Sequence, residues 1–60
     1  MMTENGVEYE LLAPTLNRKH YRILSRPDGL SDAEVAESVD SLAAVFGFSL
    51  FGDTLSVYTD

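Results

Sequence analysis

Sixty residues make one small domain, and a chain of this size buries only about 60% of the surface its unfolded form exposes, so a dimer or a bound partner would add to a thin stability margin. The absence of cysteine excludes a disulfide framework and a thiolate metal site, and it fits a reducing cytosol. Ten acids against four Lys and Arg leave a net charge of −6, a field that repels nucleic acid and anionic membrane and draws in basic partners.

The N-terminus MMTENG has neither the basic nor the apolar part of a signal peptide, and no apolar run approaches the ~18 residues of a membrane span. A cytoplasmic domain with no membrane contact is expected. Residues 1–5 are polar, end in a turn-prone Asn5-Gly6 pair, and are expected to fray. From Val7 the chain alternates, with Val7, Tyr9 and Leu11 on one face and Glu8, Glu10 and Leu12 on the other, which predicts a half-buried strand.

Residues 13–17 read as a loop around Pro14 and Asn17. A second strand follows in which Lys19, Tyr21 and Ile23 alternate with His20, Arg22 and Leu24. A five-residue loop pairs Leu12 with Arg18 and places Glu10 opposite His20, Glu8 opposite Arg22, Tyr9 opposite Tyr21 and Val7 opposite Ile23. The segment Arg26-Pro27-Asp28-Gly29 then turns the chain.

Residues 31–46 predict one amphipathic helix. Val35, Val39, Leu42, Ala43 and Phe46 fall on a single stripe. Ser31 and Glu34 have the spacing of a capping box, Leu30 and Val35 that of a hydrophobic staple, and Gly47 suits the left-handed stop. After it, Gly52-Asp53 joins two short strands so that Phe51 meets Thr54, Leu50 meets Leu55 and Phe48 meets Val57. The order ββαββ predicts an α+β fold: an antiparallel sheet of about four strands, strand order open, with one helix on one face.

The chemistry-bearing residues are few. No nucleophile stands beside a positioned base, so no enzymatic activity is expected, and His20 reads as a partner of Glu10. There is no phosphate-binding glycine loop. The acids near the helix start match no metal-binding spacing, and no cofactor or metal is expected.

All four bases and the histidine lie between Arg18 and Arg26, whereas residues 27–60 hold seven acids and no base. Glu34, Glu37 and Asp40 recur every three residues, about 4.5 Å of rise per step, a row of carboxylates on the scale of a phosphate backbone. Asp28, Asp32 and Asp53 extend it. An acidic face of this kind either solvates the helix or binds a basic partner.

The short, cysteine-free, acidic chain with Glu34, Glu37 and Asp40 on one helix resembles the small phage-encoded anti-CRISPR proteins. That resemblance implies a non-enzymatic inhibitor in a bacterial cytoplasm. It would occupy the basic DNA-reading surface of a CRISPR effector subunit as a nucleic-acid mimic, without contacting nucleic acid itself. The basic cluster Arg18 to Arg26 departs from a uniformly acidic mimic. The alternative is a structural or antitoxin-like module, such as a homodimer, that associates through Phe51 and Tyr58 on the second hairpin.

Overall fold

The computed structural model describes residues 2–60 as an α+β fold, and Met1, the first of the residues expected to fray, lies outside that range. The elements run β1 (Met2–Glu4), β2 (Val7–Leu11), β3 (Arg18–Ser25), α1 (Asp32–Val39), α2 (Ala43–Phe46), β4 (Phe48–Phe51) and β5 (Thr54–Tyr58). The strands form one antiparallel sheet in the order β1-β2-β3-β5-β4, so β1 and β4 are the edges.

A fifth strand thus replaces the expected frayed start. Asn5 and Gly6 both take positive φ, +53° and +80°, a turn whose twist matches that of the flanking strands, and β1 folds back with Met2 opposite Tyr9 and Glu4 opposite Val7. Asn5 Nδ2 also donates to Ser38 Oγ at 3.1 Å, fastening this turn to α1.

The β2–β3 register differs from the expected one by two residues. Tyr9 faces Ile23, Glu10 faces Arg22 and Leu11 faces Tyr21, with a bulge between Glu8 and Tyr9. The chain reverses at Leu16-Asn17, where Thr15 and Arg18 bridge, instead of through a symmetric five-residue loop. Pro14, which has no N–H, interrupts the ladder just before that turn. From Tyr9 to Leu11 the shift is even, and the bulge takes up the extra residue before it, so Val7, Tyr9, Tyr21 and Ile23 are all buried, whereas Leu11, expected on the same face, is 57% exposed at the end of β2. Tyr9 and Tyr21 become diagonal neighbours, packed edge to face with ring centroids 5.7 Å apart.

The second hairpin has the expected register, Phe51 opposite Thr54, Leu50 opposite Leu55 and Phe48 opposite Val57. Gly52 takes φ +64° at the first turn position, where a Cβ would be strained. Leu55 and Val57 are completely buried beneath Val35, Ala36 and Ala43, with Phe48 and Leu50 packed at the margin.

The helix layer departs from one continuous helix. Its start is as the capping signals predict: Glu34 N–H donates to Ser31 Oγ at 3.2 Å and Ser31 N–H to Glu34 Oε1 at 3.1 Å. Leu30 packs against the core from the staple position. Its end is also as expected, with Gly47 at φ +102° closing α2. Between them Asp40 leaves the helical region at φ −151°, ψ 118°. The break rotates the last turn, so Phe46 is 45% exposed instead of lying on the core stripe, while Ala36, which is off that stripe, is fully buried.

The capping box makes a pH prediction. Hydrogen bonds from the Ser31 backbone, and then its side chain, hold the Glu34 carboxyl below its ordinary range. A lowered folded-state value means that the stabilisation is complete above the ordinary glutamate range near 4.5 and fades as pH falls through the folded value. Urea unfolding should therefore show an acid-side loss of stability that Glu34→Gln reduces. Ser31→Ala should cost about 1 kcal/mol at neutral pH.

Candidate functional site

The sheet gathers the turns that carry acids at one end. Strand pairing puts Glu4, at the close of β1, beside Val7, and Glu8 beside Ser25, the last residue of β3. Ile23 N–H donates to the Asp53 carbonyl at 2.7 Å, which brings the Gly52-Asp53 turn to that same end. A Cβ on Gly6 would meet Pro27 Cγ at 2.9 Å, so the Asn5-Gly6 turn and the Arg26–Gly29 turn are in close contact. The chain enters α1 there. Glu4, Asp28, Asp32, Glu34 and Asp53 thereby share an acidic pole, with Glu37 one turn along α1.

Arg26 is the base placed among them. Its Nη1 donates to Asp32 Oδ1 at 3.1 Å and its Nη2 to the Leu30 carbonyl at 2.7 Å, which staples the turn to the helix start. Asp32 is therefore partly neutralised. Asp28, Glu34, Glu37 and Asp53 are exposed and, among the described residues, make no salt bridge. Glu34 and Glu37 border an open groove with Asn5, Leu30 and Ser38.

The other bases are also engaged within the fold. Arg22 Nη1 donates to Glu10 Oε1 at 3.1 Å across the outer face of β2–β3. The Arg18 guanidinium lies 4.9 Å from the centroid of the Tyr58 ring. Lys19 Nζ is 3.8 Å from Asp40 Oδ2.

Asp40 does not belong to the exposed acidic row. Its carboxylate is only 11% exposed, and it accepts the Tyr21 hydroxyl at 2.8 Å on Oδ2 and the Leu42 N–H at 3.0 Å on Oδ1. The bond to the residue two positions on is the Asx-turn habit that competes with helical hydrogen bonding. Burial first, and then the hydrogen bond to Asp40, push the Tyr21 hydroxyl well above its ordinary range, so it stays protonated and donating. Asp40 is a structural anchor, and the expected row Glu34–Glu37–Asp40 ends at Glu37.

His20 is not paired with Glu10. Its Nδ1 is 2.9 Å from Ser56 Oγ and its Nε2 is 2.9 Å from Thr15 Oγ1, so the ring fastens the loop before β3 to the outer face of the sheet. Of the two aromatics named for the alternative interface, Phe51 is 88% exposed, whereas Tyr58 is half-buried under Arg18. Val45, which has no place in the sequence pattern, and Phe46, which the pattern puts on the core stripe, are 69% and 45% exposed beside the start of β4. The available signal was the run of residues 41–52, which holds no charge.

Removing the anchor should weaken the fold. Asp40→Ala strips a partner from a half-buried Tyr hydroxyl and should cost about 2–3 kcal/mol in urea unfolding, while Tyr21→Phe should cost less, about 1.5 kcal/mol. An unfolding midpoint unchanged by Asp40→Ala would show that Asp40 does not hold the helix layer.

Among the described residues, no group of His, Asp and Glu is arranged to hold a metal ion, and no helix is long and apolar enough to cross a membrane. No family model, no curated protein and no solved structure matches this chain.

Proposed function

We propose that the protein is a non-enzymatic binding protein whose acidic pole occupies the basic, DNA-reading surface of a nucleic-acid-handling partner. The observation that carries this reading is the polarity of the charge. Lys19 and Arg22 are paired with Asp40 and Glu10 along β3 and Arg18 lies over the Tyr58 ring at its start, while three turns and a helix start bring carboxylates to the far end around Arg26.

Carboxylates of this kind form charge-assisted hydrogen bonds with Arg and Lys, and a concentrated negative field speeds encounter with a basic groove. The contact residues are Asp28, Glu34, Glu37 and Asp53, with Asp32 available in exchange for its bond to Arg26. The resemblance to anti-CRISPR proteins makes a CRISPR effector subunit the partner to try first.

Asp28→Lys, Glu37→Lys and Asp53→Lys together leave both the capping box and the Asp40 anchor intact. Each substitution adds two charges, so three take the net charge from −6 to 0. The wild-type protein should compete with target DNA for purified effector complexes, the competition should weaken steeply as salt is raised, and the folded triple variant should lose it. Competition retained by that variant, or insensitive to salt, would remove the acidic pole as the contact surface.

A further inference from the structure

The feature left unused by the acidic pole is the β4 edge. Strand β4 has one neighbour, β5, and ends the sheet on that side. In a two-residue hairpin the residues flanking the turn exchange both backbone bonds, and alternation repeats this at every second pair. Phe51 and Ser49 therefore bond inward to Thr54 and Ser56, continued by the Tyr58 N–H to the Gly47 carbonyl at 3.1 Å. The N–H and C=O of Phe48 and Leu50 point away from the sheet. Strand β4 is short, four residues, but carries no lysine, proline or bulge to guard its edge.

We propose that β4 pairs with β4 of a second copy, antiparallel about a two-fold axis at Ser49, to join the two sheets into one. Charge selects this occupant. In a chain of net charge −6, residues 41–52 carry no charge, so two copies meet there without placing carboxylate against carboxylate. The opposite edge, β1, carries the exposed Glu4.

The register follows from the free groups. With Phe48 of one copy opposite Leu50 of the other, both residues use both of their outward groups, and Ser49 stands opposite Ser49. On the inner face the half-buried Phe48 and Leu50 rings and branches meet and extend the core. On the outer face Phe51 of each copy comes opposite Gly47 of the other, a position with no side chain.

That vacancy is lined by an aromatic ring. A Cβ at Gly47 would stand 3.4 Å from Tyr58 Cδ2, so Phe51 lands beside Tyr58. The side chain that is 88% exposed in one copy thus finds an apolar seat in the next. The Asp53 turns fall at opposite ends of the paired strands. This inference is independent of the acidic pole, which lies on the turns and α1.

Ser49 tests the register because it faces itself across the axis and is exposed, so changing it leaves the fold in place. Sedimentation or native mass spectrometry across concentration should show the 6.6 kDa chain converting to twice that mass. Ser49→Lys and Ser49→Glu should each raise the dissociation constant about fivefold by opposing like charges, and an equimolar mixture of the two should restore pairing. Amide exchange at Phe48 and Leu50 should slow as concentration rises. A wild-type chain still monomeric at about 1 mM overturns the proposal. So does self-association that both variants leave untouched, or exchange at those amides that ignores concentration.

Discussion

The Asp40 carboxylate ties the helix layer to the sheet, and much of the molecule's shape follows from that one group. It takes the Tyr21 hydroxyl and the Lys19 ammonium from β3, and it takes the Leu42 N–H from its own chain. These bonds outweigh continued helix. They stop α1 after eight residues, reset the direction of the chain, and seat Ala43 in the core while turning Val45 and Phe46 toward solvent. The same carboxylate lets Tyr21 bury its ring beside Tyr9 without leaving an unsatisfied hydroxyl.

The basic residues are distributed so that their charge is consumed locally. Strand β3 carries all four bases with its flanking turn, and each finds an acid or an aromatic ring within the fold. Exposed pairs of this sort add little stability, in the range of about 0.2–1 kcal/mol. Their larger effect is electrostatic. Pairing of Lys19 and Arg22 with Asp40 and Glu10 along β3 leaves the remaining carboxylates at the turn end opposed only by Arg26, so a chain whose bases are clustered in sequence gathers an acidic pole there. The apolar, charge-free run from Ser41 to Gly52 lies along the β4 edge, meeting the acidic pole only at the Gly52-Asp53 turn, and it differs from that pole in chemistry.

Local rules were legible in the chain. Ser31 and Glu34 announce the helix start because both partners of the capping box lie within one turn, and Gly47 announces its end because a left-handed stop favours a residue without Cβ. The Gly52-Asp53 turn and its register are readable for the same reason: everything that sets them lies within four residues. The inward faces of β2 and β3 are readable from alternation, which survives an even shift of register. Asn5-Gly6 carries a hairpin signal as well, but the three-residue strand that precedes it is too short to show a pattern of its own.

The sequence by itself determined the buried positions Val7, Tyr9, Tyr21, Ile23, Leu55 and Val57 of the strands, where the helix layer begins and ends, and that the charge is strongly acidic with its bases in one segment. Each of these depends on neighbours a few positions away or on composition alone. Only the tertiary structure decided the β2–β3 register, the strand order and the role of Asp40. Glu10 pairs with Arg22 because the chain turns at Leu16-Asn17, and Asp40 leaves the acidic row because Tyr21, nineteen positions back, offers it a half-buried hydroxyl. A carboxylate at helical spacing looks the same in sequence whether water or a distant tyrosine receives it, and the choice is made by packing.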